Sequence, residues 1–276
     1  MKHEIQMFSE QLQNVRLEVE GAAYATIIAK TVEMLLLIGY TIKERPEFIS
    51  FSVFKRIDWA LFGRILKKGS LLIISQMMWV LSESFTAAIY NGRGNAAVVS
   101  GMAASFSIAN LFFISFDGIT TATGVLIGKS LGRNELDDAR KEKTWMLSAA
   151  IIFGCIMCLV GVVTVLLVPV VFGNLSIDAQ NICRAMLLLM ALFMPLWIYV
   201  NTQLAVCRAG GDTKVGFLVD GGTTAVMIPM LLILAFFTNA SPVMMYFGVK
   251  ALDVGKIIVA THEMKKERWV VNLSNA

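Results

Sequence analysis

Long apolar stretches alternate with short polar segments along most of this 276-residue chain. An α-helix rises about 1.5 Å per residue, so about twenty apolar residues cross the roughly 30 Å hydrocarbon core of a bilayer. The stretches are continuous and do not alternate residue by residue, which favours helices over a membrane β-barrel. The pattern predicts seven spanning helices, near residues 21–42, 70–91, 96–127, 145–172, 181–206, 217–237 and 241–260.

These spans predict an all-α fold, a polytopic membrane helical bundle. The chain then has a polar amino-terminal segment at 1–20, a first helix at 21–42, a linker at 43–69, six helices at 70–260 and a tail at 261–276. Apolar residues of the linker fall near one side of a helix, with most basic residues elsewhere. This pattern predicts an amphipathic helix on the inner membrane surface, where anionic lipid attracts basic side chains. A calmodulin-type target helix would show the same pattern.

The composition also indicates a membrane protein. Hydrophobic residues make up 57% of the chain and charged residues 16%, whereas soluble proteins contain about 25% charged residues. The net charge of +4 is spread over separate short loops, so it does not predict nucleic-acid binding. Cys155 and Cys158 form a CxxC inside an apolar run, without a second pair or a nearby histidine. We expect them, with Cys183 and Cys207, to be small buried hydrophobic residues rather than metal ligands.

No catalytic motif accompanies the spans. The sequence has neither a Gly-rich phosphate loop nor an HExxH motif, and His3 and His262 lie outside the spans. We therefore predict that the chain is not an enzyme and uses no metal or cofactor. A sodium or proton gradient would have to drive any transport.

The basic residues predict the orientation of the bundle. Of the 24 Lys and Arg residues, 17 fall in one set of loops and the tail, and 4 fall in the alternate set. The positive-inside rule assigns the richer set to the cytoplasm. We therefore expect the amino terminus outside and the carboxyl terminus inside.

Several of these polar turns resemble those of one transporter family. TATGVLIGKSLG at 121–132, followed by the turn RNELDDARK at 133–141, is similar to a repeated feature of the MATE (multidrug and toxic compound extrusion) family. LAVCRAGGDTKVGFLV at 204–219 is similar to the turn after the tenth helix of that family. GAAYATIIAKTVE at 21–33 resembles the start of its sixth helix, and KKERWVVNLS at 265–274 resembles the ending of bacterial members.

The resemblance implies a fold of twelve helices in two lobes of six, with the substrate path between the lobes. This chain would correspond to helices six to twelve, which are one MATE-like six-helix lobe plus one preceding helix. A truncated or split gene is the simplest explanation for this correspondence. In that case half of the cavity, and any cation-binding carboxylate of the first lobe, would be absent from the chain.

Ionisable residues inside the spans are candidates for function, because a charge at the bilayer centre costs about 2.5–3.5 kcal/mol on insertion scales. Glu83 follows Trp79 by one turn in the second span, among several polar residues, and is a candidate for a cation or cavity role. Asp117 precedes Gly118 and three threonines. It could coordinate sodium or take up a proton, or it could instead cap a local break in the helix.

Three further candidates for cation or substrate binding lie on the fifth and sixth spans. Asn201 and Gln203 are on the fifth, where some MATE members have a carboxylate and this sequence has none. Asp220 lies near the inner end of the sixth, where it could instead cap or snorkel towards water.

Two groups of charges could simply neutralise each other along a helix. Lys30 and Glu33 are three residues apart in the first span. Lys250, Asp253 and Lys256 follow the same spacing in the last span. Asp253 is therefore either a cation or substrate ligand or the acidic member of an internal ladder.

The resemblance implies a cation-coupled antiporter, or its carboxyl-terminal piece, in the plasma (inner) membrane of a bacterium. The expected partners are membrane lipid, small organic and mainly cationic substrates, and a separate amino-terminal half. One alternative is a non-transporting remnant or subunit that associates with that half. A lipid-linked oligosaccharide flippase of the related exporter group and a seven-span receptor are the others.

Overall fold

The structure, a computed structural model, describes residues 2–44, 59–238 and 240–271. Within these ranges it contains α-helices and no strand, which confirms the predicted all-α fold. The helices are α1 (Lys2–Glu44), α2 (Trp59–Arg93), α3 (Ala96–Gly132), α4 (Leu136–Val171), α5 (Ile177–Ala209), α6 (Lys214–Phe237), α7 (Pro242–Ala251) and α8 (Asp253–Lys265).

Six of the described helices contain a segment that is long and apolar enough to cross a membrane. These segments are Tyr24–Glu44, Gly69–Arg93, Ala96–Gly132, Leu136–Val171, Ile177–Ala209 and Lys214–Phe237. Each overlaps one of the first six predicted spans, so the chain is a multi-pass membrane protein. Helices such as α3, with 37 residues, are longer than the bilayer core requires because polar residues continue the helix past the apolar segment.

The seventh predicted span is not one continuous helix. The chain is divided at Leu252 into α7 and α8, of 10 and 13 residues. At this point the Leu252 N–H donates to the Val249 carbonyl at 3.2 Å and the Gly255 N–H donates to the Leu252 carbonyl at 2.9 Å. This three-residue spacing is tighter than that of an α-helix. The break lies between Lys250 and Asp253, two charged side chains with partners on different helices, which hydropathy alone does not reveal.

The chain forms two compact units, residues 1–62 and 63–276. In the first unit the Lys30 ammonium lies 2.7 Å from the Glu33 carboxylate, so the predicted pairing is confirmed. Residues 45–58 of the predicted amphipathic linker lie outside the described residues. From Trp59 the helix continues without a break to Arg93, so the structure has no boundary at residue 70. Leucine, isoleucine and lysine around Gly69 all favour a continuing helix.

Helix α5 is central in the second unit and packs against α3, α4, α6, α7 and α8. Small residues let α4 approach it closely. A Cβ atom on Gly154 would lie 2.6 Å from the Cα of Pro195, and one on Gly161 would lie 2.7 Å from the Cβ of Ala191. Larger side chains at these positions would push the helices apart, which is the small-residue packing common between membrane helices.

Helices α2 and α6 run parallel and are joined by side chains at matching intervals. The Ser75 hydroxyl donates to the Asp220 carboxylate at 2.8 Å, and the Ser82 hydroxyl donates to the Met227 sulfur at 3.6 Å. Both contacts advance by about two helical turns on each helix. The same face of α2 therefore meets the same face of α6 along the bundle.

Arg93, the last residue of α2, closes the carboxyl end of α6. Its guanidinium donates to the carbonyl oxygens of Leu234 at 3.2 Å, of Thr238 at 3.1 Å and of Ala235. Carbonyl groups at a helix end lack intrahelical donors and carry the negative end of the helix dipole. Arg93 therefore caps α6 from a neighbouring helix.

The tail packs against two polar turns at one end of the bundle. Trp269 is buried, and a Cβ atom on Gly210 would lie 1.8 Å from its carbonyl oxygen. The Lys143 ammonium lies 5.8 Å from the centre of the Trp269 ring, and Arg140 forms an ion pair with Glu267 at 2.9 Å. These contacts place the turn at 133–143, the turn at 210–213 and the tail together. Their assignment to the cytoplasm stays a prediction.

The turns use different residues from those that the sequence indicated. Gly128 and Gly132 were expected to end α3 with a positive φ, but Gly128 lies inside that helix and the positive φ falls on Asn134 at 64°. Asparagine tolerates this left-handed conformation better than most residues. In the second turn Gly211 has a φ of 77°, as its lack of a Cβ atom permits.

The cysteines do not all lie in the core. Cys183 and Cys207 are buried, as predicted, whereas Cys155 is exposed and Cys158 is partly exposed. The prediction is wrong for Cys155 because an apolar span has both a core-facing and an outward-facing side. Hydropathy does not distinguish the two sides when both are apolar.

Candidate functional site

An ion pair between two helices lies inside the second unit. The Glu83 carboxylate on α2 and the Lys250 ammonium on α7 are 2.7 Å apart. The Lys250 side chain is 12% exposed and the Glu83 side chain is 30% exposed. Pairing opposite charges reduces the cost of placing either one within a membrane bundle. The sequence identified Glu83 as a candidate but assigned Lys250 to a ladder along its own helix.

Aromatic rings surround the ammonium group. The Lys250 nitrogen lies 5.6 Å from the centre of the Trp197 ring and 5.4 Å from that of Tyr246. Both distances fall within the range of about 6 Å in which the negative face of an aromatic ring attracts a cation. The ammonium is therefore held by one carboxylate and two ring faces.

Other aromatic side chains hold these two rings in place. Phe193 stacks on Trp197 with ring centres 5.8 Å apart, and Phe113 approaches Trp197 edge to face at 6.0 Å. Phe106 meets Tyr246 edge to face at 6.3 Å. The rings come from α3, α5 and α7, so three helices build one aromatic wall beside the ion pair.

Tyr90 adds a polar group without a partner to this wall. Its ring lies 6.3 Å from that of Tyr246, and the residue is 1% exposed. Its hydroxyl has no hydrogen-bond partner among the described residues. Buried hydroxyl groups normally have a partner, because an unsatisfied one costs about 1–3 kcal/mol. This hydroxyl is therefore available to a ligand.

Trp197 also connects the ion pair to a second acidic residue. Its indole N–H donates to the Asp253 carboxylate at 2.8 Å, while its ring face points to Lys250. Asp253 also pairs with Lys256 at 3.2 Å. The predicted ladder is thus confirmed for Asp253 and Lys256 and wrong for Lys250. Lys250 has a closer acidic partner on another helix, which sequence spacing could not show.

The two polar candidates on α5 make separate contacts. The Asn201 side-chain amide donates to the Trp197 carbonyl at 2.9 Å. The Gln203 side-chain amide donates to the Thr261 hydroxyl on α8 at 2.8 Å. Gln203 is fully buried, and its side-chain oxygen has no hydrogen-bond partner among the described residues. The structure therefore brings neither residue into contact with Glu83.

Asp220 lies towards one end of the bundle. Its partner Ser75 precedes Glu83 by eight residues on α2, which is roughly 12 Å along the helix axis. The buried guanidinium of Arg208 lies on the same side, since a Cβ atom on Gly216 would be 3.8 Å from the Ser75 hydroxyl and 3.9 Å from Arg208. Asp220 therefore belongs to a different polar group from the Glu83–Lys250 pair.

Asp117 does not cap a break, because α3 is continuous through Asp117 and Gly118. The hydroxyls of Thr120 and Thr123 donate to carbonyls one turn earlier in α3, at 2.8 and 2.7 Å. Asp117 itself is exposed on the described chain. The structure therefore does not assemble the carboxylate and hydroxyl set that the sequence suggested.

The fold and the site together define a class of protein. Membrane-length helices that enclose a charged pair among aromatic rings form a polytopic membrane bundle with an ionisable interior, as expected for proteins that move ions or polar solutes. Residues 72–233 match the family model named MatE. The chain belongs to the MatE family.

Named relatives agree with this assignment. The probable multidrug resistance protein NorM of Rhodopseudomonas palustris (strain ATCC BAA-98 / CGA009) is 26% identical over 89% of this chain and 52% of its own length. Multidrug and toxin extrusion protein 1 is 20% identical in Oryctolagus cuniculus and 23% identical in Homo sapiens, over 92% and 86% of this chain. These matches cover 45% and 42% of the two mammalian proteins, so the chain spans about half the length of the relatives. No solved structure matches the chain significantly.

Proposed function

We propose that the chain forms one lobe of a cation-coupled exporter of organic compounds, with Glu83 as the residue that exchanges cations. The observation that carries this proposal is the carboxylate of Glu83 inside the bundle, 2.7 Å from the ammonium of Lys250. The names of the relatives, multidrug resistance and multidrug and toxin extrusion, support the same substrate class.

The coupling follows from competition at one carboxylate. Glu83 belongs to α2, whereas Lys250 and Tyr246 belong to α7, so any cation that neutralises Glu83 weakens a direct link between two helices. A proton, a sodium ion or an organic cation would each do so. If two arrangements of α2 and α7 differ in their affinity for such cations, binding shifts the balance between them. Alternating access requires only this difference.

A second lobe is part of the proposal, because the chain spans about half the length of its relatives. That lobe would lie on the same polypeptide or on a separately encoded one. The chain alone would then be a subunit, and export would require both lobes. This arrangement also accommodates the hypothesis that the chain associates with a separate amino-terminal half.

The test is efflux of ethidium from bacterial cells that lack their own exporters. The gene is supplied on its native genomic fragment, with the neighbouring reading frames, and also as the 276-residue frame alone. We expect efflux from the fragment and little or none from the single frame. Efflux by neither, with the chain present in the membrane at normal abundance, would contradict the proposal.

Two variants test the role of Glu83 in the same cells. Glu83→Gln keeps the size of the side chain and removes its charge, and should reduce efflux at least tenfold. Glu135→Gln is the matched control, because Glu135 is exposed and makes no side-chain cap at the start of α4. Equal efflux by the Glu83→Gln variant and the unmodified protein, at equal abundance, would remove Glu83 from the mechanism.

A further inference from the structure

We propose that Lys250 is a tethered competitor, whose ammonium occupies the position where an organic cation binds. This inference rests on the proposed function for the identity of the ligand, and it adds the residue that sets the affinity of the site. The Glu83 carboxylate and the faces of Trp197 and Tyr246 form the site. A substrate would therefore bind by displacing Lys250 from these groups.

The contacts of Lys250 are those that an organic ammonium ion needs. A carboxylate at 2.7 Å balances the charge, and two ring faces lie 5.4 and 5.6 Å from the nitrogen. Recognition of alkylated ammonium ligands in proteins uses the same combination of aromatic faces and negative charge. The buried Tyr90 hydroxyl, unpartnered among the described residues, offers a further polar contact. The ammonium of Lys250 makes no hydrogen bond with it in the described structure.

The position of Lys250 in the fold allows it to leave. The residue lies in the last turn of α7, next to the break at Leu252, on a flexible four-carbon side chain. Asp253 follows three residues later, on the same side of the turn, and is 8% exposed. A displaced ammonium could therefore pair with Asp253 beside Lys256. An unpaired ammonium in the bundle would cost several kcal/mol, so this second carboxylate makes displacement feasible.

This arrangement selects for ligand chemistry. A bulky aromatic or alkyl cation replaces Lys250 at Glu83 and gains more contact with the rings than the small ammonium does. A neutral ligand gains nothing at the carboxylate. An anion is repelled by Glu83 wherever Lys250 stays in place. The tethered lysine therefore sets a minimum strength that a cation must exceed to bind.

The test is equilibrium binding of radiolabelled tetraphenylphosphonium to the purified chain in detergent. Lys250→Met removes the competing charge at similar length, and we expect the Kd to fall at least tenfold. Lys256→Met is the matched control, because Lys256 pairs with Asp253 and not with Glu83; its Kd should stay within twofold. The double variant Glu83→Gln/Lys250→Met should lose the gain. An unchanged or higher Kd for folded Lys250→Met would overturn the proposal.

A second variant covers the case in which Lys250→Met fails to fold. Lys250→Arg keeps the charge and binds a carboxylate through two parallel hydrogen bonds, so it should compete more strongly and raise the Kd at least threefold. A Kd equal to that of the unmodified chain would count against the tethered competitor. Binding and efflux also fail separately. Tighter binding by Lys250→Met without efflux from cells would reject the exporter and keep the binding site.

Discussion

Replacing Glu83 with glutamine should destabilise the bundle mainly because it leaves the Lys250 ammonium without its acidic partner. The reverse change, Lys250→Met, leaves the carboxylate alone. The double variant Glu83→Gln/Lys250→Met removes both charges and leaves neither unpaired. Comparing the three variants separates the interaction between the two side chains from their individual effects.

The exposure of the pair gives the magnitude. Loss of one partner of a buried ion pair costs about 3–5 kcal/mol. Because the Glu83 side chain is 30% exposed, we take the lower part of that range. Each single variant should lose about 2–3 kcal/mol, and the double variant less than about 1 kcal/mol. The coupling energy would then be about 3 kcal/mol or more. Neutral hydrogen bonds between membrane helices average about 0.6 kcal/mol and reach about 1.7 kcal/mol, so the two cases are distinguishable.

The assay is unfolding of the purified chain in mixed micelles with increasing SDS, followed by circular dichroism. Lys256→Met serves as the control, since its partner Asp253 keeps the hydrogen bond from Trp197. A coupling energy below about 1 kcal/mol would show that the two charges contribute no more than a neutral hydrogen bond. The reasoning about a buried pair would then be wrong.

Three further changes test the packing. Gly210→Ala places a Cβ atom against the Trp269 carbonyl and should cost about 1–3 kcal/mol of stability, with faster proteolysis of the tail; Gly132→Ala, with no atom within 4 Å of the new Cβ, should be neutral. Gly154→Ala should lower the unfolding temperature by separating α4 from Pro195 of α5, whereas Gly124→Ala, which meets nothing within 4 Å, should not. Arg93→Met removes the cap of α6 and should cost about 1–2 kcal/mol in the same SDS titration, while Arg133→Met, at an exposed position, should have little effect. Equal losses in a variant and its control would refute the corresponding contact.

The sequence predicted the spans well because their signal is local. Each of the first six is a continuous apolar stretch of sufficient length, and the bilayer imposes that length whatever the neighbouring helices do. The last span was harder, because its hydropathy is averaged over Lys250, Asp253 and Lys256. Their partners decide where the helix breaks, and two of those partners, Glu83 and Trp197, lie on other helices.

The site shows the same division between local and distant information. Glu83 could be singled out from the sequence because a charge in a span is costly on its own. Its pairing with Lys250, 167 residues later, depends on how α2 and α7 are placed in the bundle. Trp197 was noted as an aromatic residue near Pro195, but its two contacts, one through the ring and one through the indole N–H, depend on three-dimensional packing. Opposite single charges on two different spans were the only signal of this pair.

The central claim is that Glu83 exchanges one cationic partner for another when a substrate binds. Infrared difference spectroscopy of the purified chain in lipid, before and after addition of tetraphenylphosphonium, measures this most directly. We predict a change in the carboxylate stretching region that is absent in Glu83→Gln and retained in Glu135→Gln. An identical carboxylate difference signal in the Glu83→Gln variant would contradict the account.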